Sequence, residues 1–189
     1  MTPRIEKAIE VAIRIHAGQK RKGDGTTPYI VHPVSVAMIL SRHTNDEDVL
    51  IAALLHDALE DTSYGGRQLK KDFGPRVLKI VEDVSDKRPD DPWEVRKDAY
   101  LKHIKTAGKD ACLVSCADKI NNLSSICEAY EEHGDRIWKS FNASKEAKLG
   151  FYEAIHKAVS GRMSHPIVRE LGSKLKETKK ALSGKRKPR

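Results

Sequence analysis

The chain has 189 residues, of which 39% are hydrophobic and 33% charged, with a formal net charge of +8. This profile fits one soluble globular domain, and no apolar run approaches the roughly 20 residues of a membrane helix. Aromatic residues make up only 5%, so Leu, Ile, Val and Ala must supply most of the core.

The periodicity is helical almost throughout. Ile5, Ala8, Ile9, Ala12, Ile13 and His16 mark a first helix beginning near Pro3. Its alternation of charged and apolar residues lacks the unbroken apolar centre of a secretory signal, so the expected location is the cytoplasm. The loop "AGQKRKGDGTTPYIVHP" follows, and a second helix is expected from Pro33, with proline in a favoured first position. Thr44 or Asn45 is the expected cap of a third helix, which carries "AALLHDALEDT" at residues 52–62.

Two short helices separated by Gly74 and Pro75 come next, then the loop "KRPDDPW". Helices over "EVRKDAYLKHIKTAG" and "KDACLVSCADKINNLSSICEAYEEHG" each end near a glycine. A last helical region is expected from about Trp138 to Val159, with an extension to about Leu171. No alternation supports a sheet, and the expected fold is an all-α single domain over residues 1–172. Residues 173–189 carry eight Lys and Arg against one acid, Glu177, and so hold +7 of the net charge. They read as a flexible basic tail, either a solubilising arm or a weak contact for nucleic acid or acidic partners.

Cys112, Cys116 and Cys127 form no CxxC pair and are odd in number, which argues against disulfides or a zinc knuckle. They read as small buried hydrophobes.

The third helix poses the chemical question. Residues four apart share a helix face, which pairs His56 with Glu60 and Asp57 with Asp61 among apolar neighbours. Buried carboxylates need partners, and a divalent metal with its water is one such partner. Taken alone, the stretch reads more readily as a solvent-exposed polar helix end with a satisfied core histidine. His32, in "YIVHP", and Asp118, ending the apolar stretch of "LVSCADKINNL", supply matching groups elsewhere. Each alone has an ordinary structural reading.

Together, His32, the pair His56-Asp57, and Asp118 resemble the H…HD…D signature of the HD metal-dependent phosphohydrolase superfamily. "QKRKGDGTTPYIVHPVSVA", "AALLHDALEDT" and "CADKINNL" are similar to the hydrolase domain of RelA/SpoT homologues, over roughly residues 4 to 160. The resemblance implies a helical fold holding one Mn²⁺-like ion on His32, His56, Asp57 and Asp118. It implies hydrolysis of the alarmone (p)ppGpp, releasing the 3′-pyrophosphate to give GDP or GTP. Some single-domain relatives also dephosphorylate NADPH, and no synthetase half is expected here.

By the same resemblance, Glu60 and Asp61 form the catalytic pair that handles the water and the leaving oxygen. Arg21, Lys22, Arg96, Lys97, Asn122 and Tyr152 are the expected substrate contacts. Ser115, Asn121 and Ser124 depart from the residues usual in the family, which leaves an adenosine alarmone or NADPH open as substrate. A non-catalytic nucleotide or nucleic-acid-binding protein is the reading from a different class.

Overall fold

A computed structural model describes residues 1–21, 25–86 and 90–183; Lys22 and the Asp61 side chain lie outside what it describes. Ten α-helices are present among the described residues, with no strand beyond an isolated bridge between Lys20 and Pro28. The all-α expectation holds.

Helix α1 (Pro3–Ile15) is capped by Thr2, whose hydroxyl accepts from the Ile5 N–H at 3.3 Å. Its expected inner face largely holds: Ala8, Ala12 and His16 are buried and Ile5 and Ile9 pack on the core, with Val11 added to it and Ile13 exposed instead. Helix α2 (Val31–Ser41) begins two residues before Pro33, which places His32 in its first turn. Helix α3 (Glu47–Leu54) is capped by Asp46, not by Thr44 or Asn45. The Asp46 carboxylate takes both the Asp48 and Val49 N–H groups, while the Thr44 hydroxyl shapes the preceding turn by accepting from the Asp46 N–H.

The expected continuous helix over 52–62 is broken. Helix α3 stops at Leu54, Leu55 turns out of helical geometry (φ −118°, ψ 12°), and a single turn, α4 (Ala58–Asp61), resumes after Asp57. Helices α5 (Gly66–Phe73) and α6 (Pro75–Val84) meet at Gly74, whose φ of 95° disfavours any side chain. Helix α7 (Trp93–Ile104) leads to α8 (Lys109–His133), 25 residues and about 37 Å long.

Helix α8 is the axis of the molecule, with α2, α3, α6, α9 and α10 packed on it. Its N-terminal half is buried nearly all round, from Ala111 to Ile120, the polar Ser115, Asp118 and Lys119 included. All three cysteines are free and buried, as expected. A 3₁₀ segment (Gly134–Ser140), α9 (Lys145–Ser160) and α10 (Pro166–Ser183) divide what reads in sequence as one helical region.

The basic tail is also corrected. Residues 173–183 continue α10, with Leu175, Thr178 and Leu182 buried against the body, and only 184–189 lie outside the described residues. Leu171, Leu175, Thr178 and Leu182 are spaced four, three and four apart, an inward stripe hidden by the lysines between them. The Cys127 thiol donates to the Thr178 hydroxyl at 3.2 Å, tying α10 to α8.

Candidate active site

Three segments bring the site together. The first turn of α2 supplies His32, the break between α3 and α4 supplies His56 and Asp57, and the middle of α8 supplies Asp118. His56 Nε2 lies 3.1 Å from Asp57 Oδ2 and 3.8 Å from Asp118 Oδ1. His32 Nε2 lies 3.5 Å from Asp57 Oδ2 and 3.3 Å from Asp118 Oδ1. One donor atom each from His32, His56 and Asp118 falls within 4.8 Å of the others.

Both imidazoles are oriented from behind. His56 Nδ1 hydrogen-bonds the Ala53 carbonyl at 2.8 Å, a contact the helix break makes possible, and His32 Nδ1 hydrogen-bonds Asn121 Oδ1 at 2.7 Å. Each ring thus has its Nδ1 occupied and its Nε2 turned inward, the arrangement that fixes metal-binding histidines. The Tyr29 hydroxyl donates to Asp57 Oδ2 at 2.6 Å, and Asn122 and Lys119 both donate to the Asp118 carboxylate.

The electrostatics favour positive charge at the centre. Burial alone would favour neutral His56, yet the Asp57 and Asp118 carboxylates hold its pKa up at about 9. Burial pushes Asp57 up as well, but the two imidazoles overcome it and hold its pKa well below the ordinary carboxylate range. Asp118 is likewise held low against burial, mainly by Lys119. His56 Nε2 is buried and, although Asp57 Oδ2 lies 3.1 Å away, makes no well-aligned hydrogen bond. Two imidazole nitrogens and two carboxylates fit a borderline or hard divalent cation, which would take up that nitrogen's lone pair.

Glu60 stands beside this cluster. Burial, and then the charges of Asp57 and Asp86, raise its pKa to about 8. Its Oε1 accepts from the Asp86 N–H at 2.7 Å. The break in the helix means that Glu60 is not stacked on His56 along one continuous face; it is placed by the separate turn α4.

These groups line a cavity of about 520 Å³, together with Arg21, Arg96, Lys97, Asn122 and Tyr152. Every expected site residue whose side chain is described therefore lines one space. Arg21 donates to Asn122 Oδ1 at 3.1 Å and to Ser125 Oγ at 3.3 Å, and its guanidinium lies 5.8 Å over the Tyr29 ring. Arg96 and Lys97 donate to Asp86. Two departures from the family pattern have local partners. Ser115 accepts the Tyr100 hydroxyl at 2.9 Å, and Asn121 is the residue that orients His32.

Sequence reasoning missed Tyr29, Asp86, Lys119, Lys148 and an aromatic wall of Trp93, Tyr100, Phe141 and Phe151. Lys119, next to Asp118 in "CADKINNL", is visible in sequence as a neighbour but not as its ion partner. Lys119 Nζ sits 4.7 Å over the Tyr100 ring, and Lys97 Nζ 5.6 Å over Phe151. The aromatic faces hold these ammonium groups at the cavity wall.

A helical body with histidines and aspartates converging from three segments at the floor of a cationic cavity defines the HD class of proteins. The chain belongs to the HD domain family, whose model matches residues 8–147. It is 34% identical over 165 residues to the guanosine-3′,5′-bis(diphosphate) 3′-pyrophosphohydrolase MESH1 of Xenopus tropicalis, spanning 85% of this chain and 91% of that one. It is 37% identical over 150 residues to the MESH1 of Homo sapiens, spanning 76% and 82% of the two chains. Among solved structures it resembles a metazoan ortholog of SpoT, described as hydrolysing ppGpp and playing a role in starvation responses. That match has a TM-score of 0.76 at 28% identity and covers 96% of this chain and 98% of the other.

Proposed function

We propose that this protein is a metal-dependent 3′-pyrophosphohydrolase of the alarmone (p)ppGpp. The observation that carries the reading is the cluster of His32, His56, Asp57 and Asp118 beside Glu60, on the floor of a cavity walled by arginine and lysine. Those four residues are the proposed ligands of one divalent ion, with Mn²⁺ the expected metal. A divalent ion held there would supply Lewis-acid charge toward the phosphoryl group, lower the pKa of a nearby water and favour the charged form of Glu60.

Water attacks the phosphorus attached to the ribose 3′ oxygen. That P–O bond breaks, pyrophosphate departs, and the 3′ oxygen takes up a proton to leave GDP or GTP. Glu60 takes the proton from water, and Asp61 is the proposed source of the proton for the leaving oxygen. Arg21 and Asn122, already joined to each other, meet the nucleoside. Arg96 and Lys97, with Lys22 from the loop, meet phosphate, which their charge suits. Tyr152 is buried in the wall beside them.

No helix among the described residues is long and apolar enough to cross a membrane. The proposed location is the cytoplasm, in keeping with three buried free thiols. The functional reading is tested by offering the Mn²⁺-loaded protein ppGpp, an adenosine alarmone and NADPH side by side and identifying products. The expected preferred reaction is pyrophosphate release from ppGpp. A clear preference for NADPH or the adenosine compound overturns the substrate assignment, and inertness toward all three overturns the enzyme reading.

A further inference from the structure

One buried carboxylate in the cavity has no part in the chemistry described so far. Asp86 lies just beyond α6, and its side chain is 2% exposed. Removing a carboxylate from water is costly unless it is partnered. Its Oδ2 accepts from Arg96 Nη1 at 3.1 Å and from Lys97 Nζ at 2.7 Å, both from the start of α7. Its own N–H donates to Glu60 Oε1 at 2.7 Å. One residue therefore touches the proposed base through its backbone and the proposed phosphate-binding cations through its side chain.

The pairing is incomplete in a way that matters. Asp86 Oδ1 and Arg96 Nε are both buried without hydrogen-bond partners. A single carboxylate oxygen holds two cations, so the trio keeps a net positive charge. The Arg96 Nε–H remains a buried donor with no acceptor, so the guanidinium is only partly satisfied by Asp86. Without Asp86, two long side chains lose their shared carboxylate, Lys97 keeping only its aromatic neighbours, and both regain rotamer freedom. They would keep their charge but lose their aim.

We infer that Asp86 is a positioning residue for the hydrolysis, holding Arg96 and Lys97 at the phosphate position in register with Glu60. The inference rests on the pyrophosphohydrolase reading. Because Asp86 also competes with phosphate for the two cations, it differs from a simple binding residue. Its loss lowers turnover without weakening ground-state binding.

The test is a mutant cycle on the full chain with Mn²⁺ and ppGpp. Asp86→Asn is made in the wild-type background and in a background carrying Arg96→Gln and Lys97→Met, with kcat, KM and melting temperature measured for all four proteins. In the wild-type background Asp86→Asn is expected to lower kcat about 10-fold or more, because misplaced groups lose orientation, while KM stays level or falls. In the Arg96/Lys97 background the same change is expected to cost less than about twofold, since the pair through which it acts is gone.

An equal loss of kcat in both backgrounds overturns the inference, as does a lowered melting temperature with kcat unchanged. Wild-type protein that leaves ppGpp intact overturns the functional reading and this inference with it. An additive cycle in an active enzyme overturns this inference alone.

Discussion

The Asn121 side chain orients a proposed metal ligand. Its Oδ1 accepts the Nδ1–H of buried His32 at 2.7 Å. Asn121→Leu removes the acceptor and leaves a buried imidazole N–H without a partner, a penalty of about 1–3 kcal/mol. Losing the orienting partner of a metal-binding histidine typically weakens metal affinity by about 10–100-fold. At 1.4 kcal/mol per tenfold, that is about 1.4–2.8 kcal/mol, within the same range. Asn121→Asp changes the sign of the effect. A carboxylate at this position keeps the acceptor, makes His32 more basic and adds negative charge behind the proposed metal. Equilibrium titration of metal-free protein with Mn²⁺ measures both variants directly. Weaker binding in the Leu variant, with binding in the Asp variant at least as tight as wild type, is expected. Wild-type affinity in the Leu variant, or equal weakening in both, refutes the assignment of Asn121 as the group that aims His32.

Three further outcomes follow from the same structure. Glu60→Gln is expected to lower kcat by about 10²–10⁴-fold while Mn²⁺ binding persists, read from steady-state kinetics beside metal titration. Asp72 accepts from Tyr64 and Gln68 at 2.7 Å each and from Lys7 at 3.0 Å, and these contacts lower its pKa to about 2. Because its folded pKa lies below the unfolded one, it stabilises the fold above about pH 4, and that contribution is lost as pH falls toward 2. Asp72→Asn should flatten this part of the stability curve measured by urea unfolding at successive pH values. Leu175→Ala is expected to cost about 2–5 kcal/mol in the same unfolding assay, the range for a buried leucine, whereas a solvated tail would lose nothing.

The legible parts of this protein are those that depend on short-range pattern or on residue identity. The apolar periodicity of α6 and the Gly74-Pro75 junction place α5 and α6 correctly. His32, His56, Asp57 and Asp118 stand out by motif order, and the fold brings them into one cavity. Features decided by three-dimensional partners are not legible. The break at Leu55 is invisible in an apolar run, because no glycine or proline marks it, yet it lets His56 reach the Ala53 carbonyl. The lysines of α10 dominate its composition and conceal the stripe that packs on the body. Tyr29 stands inside the "YIVHP" stretch and Asp86 just past α6, but neither is marked there as a site residue, and their places follow from the loops that bring them to Asp57 and Glu60.

Metal-dependent pyrophosphate release is read most simply by product analysis of ppGpp incubated with purified protein, with Mn²⁺ and after chelation, for wild type and Asp57→Ala. GDP and intact pyrophosphate are expected from the Mn²⁺-loaded wild type, and neither from the chelated protein or the variant. Release of orthophosphate in place of pyrophosphate, turnover that survives chelation, or an Asp57→Ala protein with wild-type activity would contradict this expectation.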